Sequence, residues 1–226
     1  MKRICVGKTK DVYLLNNGHY LLKFKDDVTG EKGVFDPGAN TVGPSMEGIG
    51  KANLMMSAYF FEKLTEKGIK THFVSANVDN ATMEVLPARM FGKGLEVICR
   101  YRATGSFVRR YALYVKEGMK LPGYVEFTLK DDERGDPLVT AEGLDVLGIM
   151  PLSQSAQIKD TTLRVASVVR DILSGKELEL YDIKLEFGHT DDGIMLIDEI
   201  ASGNMRVYKD GNLLDPIQLT SIILDE

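Results

Sequence analysis

Two strand-like runs in the last third of the chain carry the residues best suited to chemistry. In Asp182-Ile183-Lys184-Leu185-Glu186-Phe187-Gly188, charged and apolar residues alternate. Period two therefore places Asp182, Lys184 and Glu186 on one face. Asp191-Asp192-Gly193 suits a three-residue hairpin loop leading into Ile194-Met195-Leu196-Ile197-Asp198-Glu199. That register sets Thr190 opposite Ile194, Phe187 opposite Ile197 and Glu186 opposite Asp198. Facing carboxylates with Cβ atoms about 5 Å apart destabilise a strand pair unless one holds a proton or a cation bridges them. Oxygen-only ligands favour a hard ion such as Mg²⁺, which sits between carboxylates and phosphate oxygens. A register one residue off would leave an ordinary solvated polar face, and the pattern alone keeps both readings open.

A second constellation is Arg100-Tyr101-Arg102-Ala103-Thr104-Gly105-Ser106. Two arginines leave the end of an apolar strand and enter a helix start at Ser106, an arrangement suited to a phosphate monoester or a carboxylate. An ordinary N-cap with surface arginines fits the same residues, and Arg109 and Arg110 read as the solvated side of that helix. Gly7-Lys8-Thr9-Lys10 can offer backbone N–H groups and ammonium charge to phosphates, although it lacks the Walker spacing and alone reads as a solvated turn. Lys130 to Pro137 is a polar loop. His19, His72 and His189 show no zinc-ligand spacing, and no Gly-x-Ser-x-Gly elbow is present.

The elements that must position these groups are legible in outline. Val12–Leu15 and Tyr20–Phe24 flank the turn signal Asn16-Asn17-Gly18. Residues 26–50 hold six glycines and two prolines and read as a long loop whose composition suits a mobile lid. Helices are expected over 52–67, from Ser106 to about Lys116, and over 153–173; strands over 72–74, 83–86, 95–101, 182–187 and 194–200. Early strands followed by mixed helices and hairpins indicate an α+β fold. A lobe boundary falls near Asn77–Asn80, dividing the chain into 1–78 and 79–226.

The 226 residues, 44% hydrophobic and 27% charged, are enough for one ordinary core or two small lobes, and exclude a disordered chain. No apolar run approaches the ~20 residues of a membrane span, and no secretory signal is evident. A net charge of -5 argues against a general duplex-DNA binder. Cys5 and Cys99 sit in apolar runs and are expected to be reduced, buried thiols of a cytoplasmic protein.

Taken in order, Gly7-Lys8-Thr9-Lys10-Asp11-Val12-Tyr13, Phe24-Lys25-Asp26-Asp27, Glu96 through Ser106, Lys130, Asp136-Pro137, Lys184-Leu185-Glu186-Phe187-Gly188 and Asp198-Glu199-Ile200 resemble the SAICAR synthetase family. The resemblance runs from residue 3 to about 210. It implies a small β-rich nucleotide-binding lobe and a larger α+β lobe with an ATP and Mg²⁺ cleft between them. It implies an ATP-dependent ligase of purine biosynthesis, joining the carboxylate of carboxyaminoimidazole ribonucleotide to the amine of L-aspartate. On the same resemblance, Gly7, Lys8, Lys10, Val12, Lys23, Glu96, Lys130 and Glu186 serve ATP. Glu186 and Asp198 hold Mg²⁺, and Arg100, Arg102, Ser106, Asp136, Asp182, Lys184 and Arg206 bind the other substrates. Lys184 and Lys130 lie at the reacting groups. The partners implied are small molecules rather than nucleic acid or membrane, with a homo-oligomer left open. Departures are Ala201-Ser202-Gly203, where members read Ser-Pro-Asp; the segment Gly33 to Gly50, with Ile49 where a lysine is common and Lys51 two places later; and a final segment, Leu213 to Glu226, without arginine. They fall on the acceptor side and leave open a small-molecule kinase or a paralogue with a different acceptor.

Overall fold

In this computed structural model, residues 1–31, 33–39 and 41–225 are described. In chain order the elements are β1 (Lys2–Val6), β2 (Lys10–Leu14), β3 (Tyr20–Phe24), β4 (Asp27–Glu31), β5 (Val34–Phe35), β6 (Val42–Ser45), α1 (Ile49–Glu66), β7 (Phe73–Asn77) and β8 (Thr82–Val85). There follow β9 (Arg89–Met90), β10 (Leu95–Arg102), α2 (Gly105–Tyr111), β11 (Lys120–Leu129), β12 (Leu138–Val139), α3 (Ala141–Val146) and α4 (Leu152–Ser174). The last are β13 (Glu179–Thr190), β14 (Gly193–Ile197), β15 (Met205–Lys209), β16 (Asn212–Leu213) and α5 (Pro216–Leu224). The fold is α+β, as the order of elements predicts.

Two compact units are present. The first takes Met1–Ala88, Glu199–Asn204 and the segment from Leu214 onward; the second takes Arg89–Asp198 and Met205–Leu213. The cut expected after residue 78 is therefore displaced to 88. The reason is strand pairing: β8 lies between β3 and β7, so the first sheet, ordered β1-β2-β3-β8-β7, closes only after Val85. The return of α5 onto α1 was not foreseen either.

In the first unit α1 buries Leu54, Met56, Phe60, Phe61 and Leu64. Asp26 tethers its start, accepting hydrogen bonds from the Gly48 N–H (3.1 Å) and the Gly50 N–H (2.9 Å). The expected long loop is instead built around a three-stranded sheet, β5-β4-β6. Its glycines permit close strand approach, since a Cβ on Gly43 would lie 2.8 Å from the Gly30 Cα. Lys32 and Asn40 of that stretch lie outside the described residues. Cys5 is exposed on β1, whose five residues are all exposed, so only Cys99 meets the expected burial.

The second unit is built on a large sheet ordered β12-β11-β10-β13-β15-β16, with β9 and β14 also paired to β13. One face is apolar. Val97, Cys99, Ile183 and Leu185 are buried there, α4 packs on β10 and β13, and its Arg170 lies 4.8 Å over the Tyr101 ring. Burial pushes the Cys99 thiol up to about 12. The opposite face is polar, because the even-numbered residues of β10 and β13 point there.

Helix α2 is shorter than expected and begins after Thr104, not Ser106. The hairpin register also differs. Asp191 and Asp192 form a two-residue loop, Thr190 pairs with Gly193, and Glu186 faces Ile197 rather than Asp198. A turn shorter by one residue slides the whole ladder by one.

Candidate active site

On the polar face, pairing across β10 and β13 sets Glu96 opposite Glu186, Ile98 opposite Lys184 and Arg100 opposite Asp182. The facing carboxylates of this sheet are therefore Glu96 and Glu186. Two lysines offset their repulsion: Lys184 Nζ donates to Glu96 Oε1 at 2.8 Å, and Lys130 Nζ donates to Glu186 Oε1 at 2.7 Å. Thr128 of β11 donates to the other Glu96 oxygen at 3.3 Å.

Asp198 still belongs to this cluster despite the shifted register. It follows the last residue of β14 and adopts φ +70°, which breaks the strand alternation. Burial and the negative charge of Asp198 push Glu186 above the usual carboxylate range, against the pull of Lys130. Burial works against the Lys130 ammonium, but Glu186 and Asp198 outweigh it and hold its pKa above the ordinary lysine value. Lys184 is likewise raised, with Glu96 outweighing burial. Gly94 makes room for Lys130: at φ +125°, a Cβ there would lie 2.7 Å from the Lys130 Cδ.

By their chemistry the carboxylates Glu186 and Asp198 could hold a hard cation: both offer oxygen donors, and Glu186 is desolvated and raised by the Asp198 charge. Among the described residues no group of three metal-ligating side chains occurs. Any remaining coordination has to come from phosphate oxygens and water, which is the habit of Mg²⁺.

A second cluster lies at Arg100 and Asp182. Arg100 is buried at 2% relative exposure. Its Nε and Nη2 donate to Glu126 Oε1 at 2.9 and 2.7 Å, and Nη2 also donates to Ser106 Oγ at 3.0 Å. Its Nη1 donates to Asp182 Oδ2 at 2.6 Å and to the Thr104 carbonyl at 3.4 Å. Arg206 Nη1 donates to the same Asp182 oxygen at 2.8 Å. Gly105, at φ +55°, gives this guanidinium its place, since a Cβ would lie 2.8 Å from Nη2 of Arg206.

Arg100, Ser106, Asp182 and Arg206 are thus brought together, as are Glu96, Lys130, Lys184 and Glu186. Arg102 is engaged elsewhere, with Glu179 and, at 3.1 Å, the Gly118 carbonyl. Asp136 accepts from the Asp131 N–H at 2.7 Å and so closes the 131–136 loop. Gly7, Lys8, Lys10, Val12 and Lys23 lie in the first unit. Gly7 forms a tight turn, its N–H donating to the Lys10 carbonyl at 2.8 Å, where a Cβ would meet that oxygen at 2.5 Å. Lys10 Nζ lies 2.7 Å from Glu199 Oε1. Val12 is half-buried on β2, Lys8 half-buried beside the turn, and Lys23 exposed on β3.

Sequence reasoning missed Glu126 and misread Arg110. Arg110 Nη2 contacts both Glu126 oxygens at 2.6 Å rather than pointing into solvent. The alternation Tyr124-Val125-Glu126-Phe127-Thr128 was the available signal. The departure at Ala201-Ser202-Gly203 also has a physical place. The buried Ser202 hydroxyl donates to Asn53 Oδ1 of α1 at 2.7 Å, and the Ala201 N–H donates to Asn204 Oδ1 at 2.9 Å.

Residues 3–218 match the family model described as SAICAR synthetase. The chain belongs to the SAICAR synthetase family. It is 57% identical, over all of both chains, to the phosphoribosylaminoimidazole-succinocarboxamide synthase of Clostridium tetani. It is 37% identical to the enzyme of the same name from Thermotoga maritima, covering 92% of this chain and 86% of the relative. A solved SAICAR synthetase in complex with ADP superposes with a TM-score of 0.86 at 30% identity, covering 98% of this chain and 97% of the other. No described helix is long and apolar enough to cross a membrane.

Proposed function

We infer that this chain is an ATP-dependent carboxylate–amine ligase of purine biosynthesis, a cytoplasmic enzyme acting on small molecules. It joins the carboxylate of carboxyaminoimidazole ribonucleotide to the amine of L-aspartate. The products are SAICAR, ADP and phosphate. The observation that carries this reading is the polar sheet face, which gathers lysines, guanidiniums and buried carboxylates without an activated side-chain nucleophile. The C. tetani relative of the same name, identical at 57% of positions along the whole chain, supports it.

The chemistry suits such a face. A carboxylate is a poor acyl donor. Attack by its oxygen on the γ-phosphorus of ATP expels ADP and gives an acyl phosphate. The amine nitrogen then attacks the carbonyl carbon, loses a proton, and expels phosphate. Both steps ask the protein for positioning and charge neutralisation. In this reading Gly7, Lys8, Lys10, Val12, Lys23 and Glu96 serve the nucleotide. Lys130 and Lys184 present ammonium charge to the transferring phosphoryl group and the reacting carboxylate. Ser106, Asp182 and Arg206 orient the ribonucleotide, with Arg100 fixed behind them. Glu186 and Asp198 would hold Mg²⁺, which when bound neutralises phosphate charge.

The test is ADP release measured with each substrate omitted in turn, with mass analysis of the product. Release that requires both the imidazole carboxylate and aspartate, with the mass of the succinocarboxamide, supports the ligase. A phosphorylated product on a hydroxyl acceptor would mark a small-molecule kinase instead.

A further inference from the structure

The second cluster is an unbroken chain of alternating charge: Arg110, Glu126, Arg100, Asp182, Arg206. Glu126 and Arg100 are each 2% exposed, so neither charge is solvated by bulk water. Glu126 accepts from Arg100 through Oε1 and from Arg110 through both oxygens. Arg110, at 29% side-chain exposure, is the end of the chain nearest solvent.

Each of the five N–H hydrogens of Arg100 has a partner within this cluster. One of those partners, Ser106 Oγ, accepts from Arg100, which leaves its own hydroxyl hydrogen to donate outward. How Arg100 is held therefore decides where Ser106 points. Within these five side chains, without Arg110, Arg100 and Arg206 would be matched one for one by Glu126 and Asp182, with no excess positive charge. Arg110 supplies that excess by cancelling Glu126.

We propose that Arg110 is a positioning residue for the ribonucleotide: acting through Glu126, it leaves Arg100 and Ser106 ordered and the cluster net positive toward the substrate's anionic group. Phe107 fixes α2 in the required place, its ring 5.4 Å from Tyr124 and 5.8 Å from the Arg100 guanidinium. Glu126 in turn holds Arg110 above its ordinary pKa, outweighing burial. The proposal rests on the ligase reading for the identity of the anion, but its charge argument holds for any phosphate monoester.

The experiment compares wild type, Arg110→Gln and the charge-balanced double variant Arg110→Gln/Glu126→Gln. A unit charge roughly 10 Å from an anion in a partly buried site, at an effective dielectric constant of about 20, changes its affinity by about tenfold. Arg110→Gln should therefore raise the ribonucleotide KM by about that factor, with the KM for ATP within about twofold. The double variant, which restores the charge count, should recover at least half of the loss on a logarithmic scale. Binding of a ribonucleoside 5′-monophosphate by calorimetry, which needs no turnover, should follow the same order. An unchanged ribonucleotide KM and monophosphate affinity in Arg110→Gln would overturn the proposal. So would a folded double variant no better than the single one, or equal losses for both substrates. Wild-type protein that binds the monophosphate but forms no amide would overturn the ligase reading alone.

Discussion

Replacing Arg100 by Lys removes a planar fork from a buried site built around it. The guanidinium makes five donor contacts: two to Glu126, two more to Asp182 and Ser106, and a longer one to the Thr104 carbonyl. An ammonium has three hydrogens and cannot reach Glu126 and Asp182 in the same plane, so at least two contacts are lost. Hydrogen bonds to charged groups contribute about 1.5–3 kcal/mol each. Neither carboxylate is stranded, since Arg110 stays on Glu126 and Arg206 on Asp182. The lower end of the range therefore applies, about 3 kcal/mol in total. For a chain of this size each kcal/mol lowers the melting temperature by roughly 2–4 °C, so calorimetry should show a fall of roughly 6–12 °C. The ribonucleotide KM should rise with it, because Ser106 loses its anchor. A melting temperature within about 2 °C of wild type would show that the network is not the stabilising core described here.

Asp198→Asn should abolish Mg²⁺-dependent turnover while leaving the circular dichroism and melting curve near wild type; retained turnover would remove Asp198 from the metal pair. Gly94→Ala forces a Cβ against the Lys130 stem at φ +125°, a backbone angle costing about 1–3 kcal/mol for an L residue. It should raise the KM for ATP more than that for the ribonucleotide, and equal effects would contradict the assignment of Lys130. Thiol titration of the native protein at pH 8 should label Cys5 alone, since Cys99 is buried with its pKa pushed up to about 12, and both thiols after unfolding. Rapid labelling of two thiols in the native state would refute that burial.

The parts of the fold with strong periodicity were legible. The Asn16-Asn17-Gly18 hairpin, α1, α4 and the central strand Leu95–Arg102 appear where apolar spacing puts them. The polar face of β13 was legible too, because alternation of Asp182, Lys184 and Glu186 needs no tertiary information. What failed depended on turn chemistry and on partners distant in sequence. Asp191-Asp192-Gly193 fits a two-residue or three-residue loop, and one residue decides which carboxylates meet. Residues 26–50 lack apolar alternation because glycines, not side chains, let those strands approach. Arg110 reads as solvated by helical position, and only the long-range arrival of Glu126 on β11 makes it part of the buried network. The roles given to Lys8, Lys10 and Lys23 came from family resemblance, because a glycine–lysine turn alone carries too little information.

Activation of the carboxylate by ATP is read most directly in the route taken by one oxygen atom. If carboxyaminoimidazole ribonucleotide carrying ¹⁸O in its carboxylate is turned over with ATP and aspartate, activation as an acyl phosphate sends one labelled oxygen into inorganic phosphate at each cycle. The other stays in the amide. Mass analysis of the released phosphate should therefore find one ¹⁸O per molecule. Phosphate free of label, with ADP still formed, would contradict the mechanism and the role given to the charged sheet face.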